Sequence, residues 1–586
     1  MKKTSNLLRN VSMKRLILLP FLAFCLFAEG GFSSYAQSRN DKQIYFDALQ
    51  TTGTILSSVQ RYFVDTIDLL TIHALGMNAM LSRLDPYTEY MTPKDAQAFR
   101  EATTGVYAGI GAIISQRPDN TVIINEPFEG QPAERAGLKP GDRILRIDGK
   151  SYARSTTPEV SNALRGKEGT EIHLVVQRAG EPAPREFRFM RKKISLNSVA
   201  YAGRLAGDIG IIRLSQFTQD SGKDFREALT SLTEKAPLKG LVIDLRSNGG
   251  GVLQSAIEIV SLFVPHDTEV LSVKGRDASS NSTYRTTSAP IALDLPLVVL
   301  INEESASSSE IVAGALQDRD RAVIIGEKSY GKGLVQSTIQ TPGEGLLKLT
   351  TARYYIPSGR CIQKIAYNHL GDRTQIAEKD SLGAAFSTLG GRTVYDAGGI
   401  MPDLKIVADT MASMLVYMSV DTLVFDYITR YEATHKNLAS PEQFHLTDAE
   451  YNDFITYLST HGFTYKPRSL KYLDQMQELI NYEQVPENAA KELEALRKVL
   501  EPDIKRDGTR FKRDIKEYIE SQIMLRRYHR KGYFGFIMPG DKQVKAACEV
   551  LRNPSRYKGL LAPPKGTAPT KGNAKNPDRL EGPLKT

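Results

Sequence analysis

The apolar positions of this chain change period along its length, and the changes divide it. Between about residues 41 and 104, Ile44, Phe46, Leu49, Ile55, Leu56, Val59, Phe63 and Val64 keep a loose three-to-four spacing, which predicts amphipathic helices. From Gly105 to about Lys192 the pattern shortens to strand-length runs broken by glycine turns. Helical spacing then alternates with β-branched runs. Ile209 to Leu214, Gly240 to Leu245, Leu297 to Ile301 and Ala322 to Ile325 read as buried strands, and such alternation implies an α/β core. Beyond Val407 the pattern is helical, with candidates at Tyr451 to Ser459, Arg468 to Tyr482, Ala489 to Leu500 and Phe511 to Arg530. From Pro563 on almost nothing apolar remains, and a disordered end is expected. The expected organisation is a multi-domain α/β chain: a leader at 1–36, a helical region at 37–104, a β-rich module at 105–192, a core at 193–407, a helical extension at 408–562 and a basic tail at 563–586.

The stretch from Leu297 to Gln336 carries the most chemistry. Its first strand delivers Asn302 to a turn, and Ser305, Ala306, Ser307, Ser308 and Ser309 lead into a helix through Asp318. Ser307 with Glu310 fits the S-x-x-E capping box, in which hydroxyl and carboxylate satisfy the first N–H groups of a helix. The other reading is a nucleophile at a helix N-terminus, where unpaired N–H groups and the dipole stabilise an oxyanion. A hydroxyl at its free pKa is inert, so that reading needs a base.

Lys332, between Gly331 and Gly333, is the candidate base. A lysine accepts a proton near neutral pH only where burial disfavours its charged form, and Leu334 and Val335 help supply an apolar setting. Gly326 to Lys332 also matches G-x-x-x-x-G-K, but Gly333 and a strand follow where a phosphate loop needs Ser or Thr and a helix. A third glycine-rich turn, Gly249, Gly250, Gly251 after Asp244 and Arg246, permits close backbone approach to a ligand and lacks the dinucleotide spacing G-x-G-x-x-G. Asp244 and Arg246 are expected to fix that loop by pairing.

Together, Ser-Ala-Ser-Ser-Ser-Glu-Ile, Ala-Leu-Gln-Asp, Arg-Ala-Val-Ile-Ile-Gly-Glu and Gly-Lys-Gly-Leu-Val-Gln resemble the core of the C-terminal (tail-specific) processing peptidases, serine enzymes with a Ser/Lys dyad. The resemblance implies a ClpP/crotonase-like peptidase core, with Ser307 as nucleophile, Lys332 as general base and Gln336 orienting the lysine. It places the oxyanion contacts at the N–H of Ser308, where the family usually has alanine, and at Gly250 or Gly251, the register among the glycines being open. Gly109, Ile110, Gly111, Ala112 and the run from Ala136 to Gly149 resemble a PDZ module, whose glycine-rich turn would bind the carboxylate of a substrate tail through Gly109, Ile110 and Gly111. Leu84 to Tyr90 resembles the segment that precedes that module, and Tyr354 to Gln363 and Gly398 to Asp403 resemble the closing segments. The resemblance spans roughly Asp41 to Val407. It implies a serine endopeptidase acting near the C-termini of its substrates; the alternative is a PDZ-based adaptor whose peptidase-like core is scaffold, although such a core should have lost the serine or the lysine.

Charge and composition narrow the setting. Lys2, Lys3, Arg9, Lys14 and Arg15, the apolar Leu16 to Ala28 and the small-residue site at Ser34 to Ala36 predict a secretory signal and export to the periplasm or cell envelope. That run is short for a membrane span, and Phe24 argues against a lipid-attached Cys25. Cys361 and Cys548 imply no disulfide framework. Of the net +9, the end from Glu501 carries +10, with twenty Lys/Arg against ten Asp/Glu. In an exported chain this reads as a solvated face rather than a nucleic-acid site. The eight histidines show no H-E-x-x-H, so neither metal nor cofactor is expected. The extension reads as packing or assembly surface, with a homo-oligomer among its outcomes.

Overall fold

The computed structural model describes residues 39–205, 208–367, 373–375, 383–396, 398–441, 443–483 and 487–563; the expected leader and tail residues 564–586 lie outside these. At the centre is a six-stranded sheet in the order Val199–Leu205, Ile209–Leu214, Gly240–Asp244, Leu297–Ile301, Ala322–Gly326, Leu404–Lys405. Its first pair is antiparallel and the remainder parallel. Gly240–Asp244, Leu297–Ile301 and Ala322–Gly326 are buried at every position. Burial on both faces is the reason these strands are continuous apolar runs rather than alternating ones.

One face of the sheet packs against the helices Ser221–Lys235, Leu253–Ser261 and Ser308–Asp318, through Phe225, Leu229, Ala256, Val260, Ile311 and Val312. The other face is covered by residues that the sequence grouped with the extension. Val544, Ala547, Val550 and Leu551 of the helix Lys542–Arg552, with Met538, pack on Ile211, Val242, Val298 and Ile325. The chain end is thus a layer of the core, while Met414 to Met524 form a separate helical cluster.

The β-rich module is a six-stranded sheet, Ala112–Gln116 through Arg185–Met190, with the helix Thr157–Leu164 closing its apolar interior. It rests against the helical cluster through the ion pair of Arg117 with Asp426 and the approach of His529 Nε2 to Glu134 at 3.1 Å. A second core sheet holds the long hairpin Leu334–Gln340 and Leu346–Tyr355, to which Glu89–Met91 adds as an edge strand. Expected helices at 451–459, 468–482, 489–500 and 511–530 appear as Asp448–Thr460, Arg468–Tyr482, Glu487–Leu500 and Lys512–Ile537, the last kinked at His529, where φ is +54°. The larger differences lie at helix ends, where the apolar pattern is silent about caps.

The C-terminal end of Ser308–Asp318 is tied to the closing segments by a wholly buried ion pair. Arg360 donates to Asp318 Oδ1 and Gln317 Oε1, both at 2.8 Å, and to the Tyr395 carbonyl at 2.9 Å. Removing the guanidinium would leave a buried carboxylate unpaired. Arg360→Met should therefore lower the unfolding free energy by about 3–5 kcal/mol, read as a fall in the urea midpoint.

Candidate active site

Ser307 stands at the turn between Leu297–Ile301 and Ser308–Asp318 with φ +55° and ψ −115°. A non-glycine residue in that region stores strain of roughly 1–3 kcal/mol and persists only where its surroundings over-determine it, as at the sharp strand-to-helix turns that present nucleophiles. The surroundings here are its serine neighbours. Ser305 Oγ donates to the Leu245 carbonyl at 2.8 Å, Ser309 Oγ to Asn248 at 2.8 Å and Ser308 Oγ to Gly251 at 2.9 Å. Three hydroxyls thus lash the turn to the glycine loop. Among the described residues, the Ser307 hydroxyl is the one of the four not given to a backbone carbonyl, and Ser307 lines a cavity of about 470 Å³.

The expected capping box is formed, the Ser307 side chain meeting the Glu310 N–H and Glu310 Oε2 accepting the Ser307 N–H at 2.9 Å. The same carboxylate reaches further. Oε2 also accepts the Lys332 N–H at 2.9 Å, while Oε1 accepts the Gly331 N–H at 2.7 Å and the Ser329 hydroxyl at 2.5 Å. Tyr354 works on the opposite groups of the same two residues: its hydroxyl lies 2.9 Å from the Lys332 carbonyl and 3.4 Å from that of Ser307. Burial holds the Tyr354 phenol well above its ordinary value, so it remains a donor. Burial also pushes the Glu310 carboxyl up, and its four donors, which stabilise only the ionised form, pull it back.

The close passage of the lysine loop explains one of its glycines. Gly331 has φ +89°, and a Cβ there would lie 2.7 Å from Lys364 Cβ and 2.8 Å from the Gly398 backbone. Lys332 itself is largely buried, and burial lowers its amine from the ordinary 10.5, Lys348 adding to the fall while Glu310 and Asp85 oppose it. Its Nζ sits 4.4 Å from the centroid of the Tyr87 ring. No hydrogen bond joins it to Ser307 among the described residues.

Asp244, wholly buried between Arg213 at 2.6 Å and Arg246 at 2.8 Å, anchors the glycine loop, and Arg246 continues to Asp541 at 2.7 Å. Gly250 has φ +93°, with a would-be Cβ 2.6 Å from the Ala306 carbonyl and 2.9 Å from the Ser308 nitrogen. Its own N–H is taken by the Asn248 side chain at 2.9 Å.

The structure therefore brings Ser307, Ser308, Gly250, Gly251, Lys332 and Gln336 to one cavity. No hydrogen bond joins Gln336 to the lysine among the described residues: beside a bulge at Val335, its amide donates to Thr350 Oγ1 at 3.2 Å. Gly109, Ile110 and Gly111 lie in the β-rich module, outside that cavity. Sequence reasoning missed the wider reach of Glu310, the hydroxyl of Tyr354 and the brace at Asn248. Only Glu310 gave a signal, and its spacing pointed to a local cap.

Known proteins are similar to this chain. A model of peptidase family S41 matches residues 208–369, a PDZ domain model 123–178, and a model described as the C-terminal helical domain of probable PDZ-proteases 414–551, where the sequence reading found no resemblance. A carboxy-terminal-processing protease of Bartonella bacilliformis is 38% identical over 329 residues, covering 56% of this chain and 75% of that protein. A carboxyl-terminal-processing protease of a Synechocystis species is 39% identical over 295 residues, covering 50% and 68%. Among solved structures, the photosystem II D1 C-terminal processing protease aligns at 25% identity over 60% of this chain and 91% of its own, with a TM-score of 0.32.

The double bond of Glu310 to Ser307 and Lys332 sets the register of the two loops. Glu310→Gln keeps shape but aims an NH₂ at N–H groups, forcing an ångström-scale shift. Capture of Ser307 by a peptidyl fluorophosphonate should slow by about 10²-fold, with an unchanged circular dichroism spectrum.

Proposed function

The chain belongs to the carboxy-terminal-processing proteases of peptidase family S41, and on that footing we propose that it is an exported serine endopeptidase that cuts proteins near their C-termini through a Ser307/Lys332 dyad. The observation that carries this reading is one cavity lined by a hydroxyl on a strained turn, given to no backbone carbonyl among the described residues, and a desolvated amine. Export is supported by the basic, apolar and small-residue order of the first 36 residues.

In this mechanism Lys332 Nζ turns from Tyr87 toward Ser307, whose Oγ attacks the scissile carbonyl as its proton passes to the neutral amine. The oxyanion takes N–H groups from Ser308 and from the glycine loop. We assign the second donor to Gly251, since Gly250 already serves Asn248. Collapse breaks the C–N bond, and the Lys332 ammonium gives its proton to the departing amine. Water then attacks the acyl-enzyme with Lys332 again as base, releasing the acid and restoring Ser307. The PDZ domain would hold the substrate tail, its carboxylate on the N–H groups at Gly109, Ile110 and Gly111. Close packing supports a backbone-only role there, because at Gly111, with φ +74°, a Cβ would lie 2.5 Å from Gln131.

Incubation with a protein bearing an apolar C-terminal tail tests the reading. Wild type should cleave it, and Ser307→Ala and Lys332→Met should each lose at least about 10³-fold in kcat. Since the active amine is neutral and lowered from 10.5, kcat/KM should be full above the lowered value and fall as pH drops through it. Equal cleavage by wild type and Ser307→Ala would end the assignment, and tail binding without cleavage by either would leave an adaptor.

A further inference from the structure

The stretch Leu84 to Tyr90 supplies no reacting group to the chemistry above, yet it is built to hold one ring in place. Asp85 is buried and accepts the N–H groups of Tyr87 and Thr88 at 2.7 and 2.8 Å and the Thr88 hydroxyl at 2.9 Å. Thr88 Oγ1 in turn accepts the Thr350 N–H at 3.1 Å, and Glu89–Met91 pairs with Leu346, Leu347 and Lys348 of the hairpin. Tyr87 is thereby fixed to the strand beside the cavity. Its ring meets Tyr367 edge-on at 6.3 Å and 89°, its phenol lies against those of Tyr330 and Tyr367, and its face receives Lys332 Nζ at 4.4 Å.

We propose that Tyr87 is a positioning residue for the general base, its ring face holding the protonated Lys332 amine away from Ser307 between turnovers. This rests on the dyad reading above. The negative face of an aromatic ring attracts a cation by about 0.5–2 kcal/mol, more where water is excluded, and gives nothing comparable to a neutral amine. The ring therefore favours the charged, parked form, while proton loss frees the amine to swing to the serine. Three other charged groups face Lys332: Lys348 from the hairpin strand, Glu310 from the serine helix and Asp85 from the segment of Tyr87 itself. All three are untouched by a change at Tyr87.

The rival role for this ring is as a lid that only keeps water out, which predicts an unchanged or raised midpoint where the ring-face role predicts a fall. Tyr87→Leu preserves apolar cover but removes the face, so the Lys332 titration midpoint should fall by about one pH unit. Tyr87→Phe keeps the face and should stay near wild type. The midpoint is read in the full chain by NMR of 13Cε-labelled lysine, with the signal assigned by its loss in Lys332→Met, and the acid limb of kcat/KM should move with it. If Tyr87→Leu does not fold, Tyr87→Met takes its place. A midpoint that stays or rises without the ring, or that falls equally in Tyr87→Phe, overturns the proposal. The NMR midpoint does not depend on turnover, so a failure of the protease reading, seen as equal cleavage by wild type and Ser307→Ala, is told apart from a failure at Tyr87.

Discussion

The active-site geometry depends on one buried carboxylate shared by two loops that are far apart along the backbone. Ser307 follows the fourth strand of the central sheet and Lys332 follows the fifth, so nothing local fixes one against the other. Glu310 does so by accepting the N–H of both at 2.9 Å, and Tyr354 does so again from the carbonyl side. Magnitudes decide what this arrangement achieves. A hydrogen bond to a charged group contributes about 1.5–3 kcal/mol, whereas taking a carboxylate out of water costs several. Four such bonds roughly offset the burial and leave little net stability. What the carboxylate supplies is register, with Ser307 and Lys332 each held at both backbone N–H and carbonyl.

The glycine loop follows the same logic with different atoms. Its carbonyls at Leu245, Asn248 and Gly251 receive the hydroxyls of Ser305, Ser309 and Ser308. A serine-rich turn thus serves two purposes that sequence alone does not separate: three hydroxyls are structural donors to a loop that has no secondary structure to satisfy it, and one is left for chemistry. The serine at position 308, where alanine is usual in the family, fits this account because its hydroxyl ties the nucleophile turn to Gly251. The helix Lys542–Arg552 completes the frame from below, since Asp541 at its start holds Arg246, which holds Asp244 at the head of the loop.

Much of this was legible before any coordinates. Continuous β-branched runs marked the buried strands, the S-x-x-E spacing marked the helix start, and the glycine positions marked where backbones approach. The remainder was not, for physical reasons. Spacing reports neighbours on one element, so it showed Glu310 capping its own helix and could not show Gly331 and Lys332, twenty-one and twenty-two residues away. Val544, Ala547, Val550 and Leu551 announced an apolar helix face, but an amphipathic pattern does not name its partner, and this one lies under a sheet whose strands end more than a hundred residues earlier. Gln336 is a different case: family likeness supplied a role, and beside a bulge its amide donates to Thr350.

A lysine that is to serve as a base beside two carboxylates would meet an electrostatic difficulty, because an anion near an amine favours its charged form. Glu310 and Asp85 both act in that direction on Lys332, yet burial and the second cation, Lys348, outweigh them. Both carboxylates are heavily engaged by donors. Glu310 takes three N–H groups and a hydroxyl, and Asp85 takes two N–H groups and a hydroxyl. Donor dipoles aimed at an anion oppose its field at the amine beyond, so the carboxylates organise backbone without presenting bare charge to the base. Lys348 is itself paired with Glu89 on the neighbouring edge strand, which keeps a second cation at the cavity. The site can therefore be rich in ionised groups and still lower one amine from its ordinary value, because each carboxylate that shapes it is already occupied by the backbone it positions.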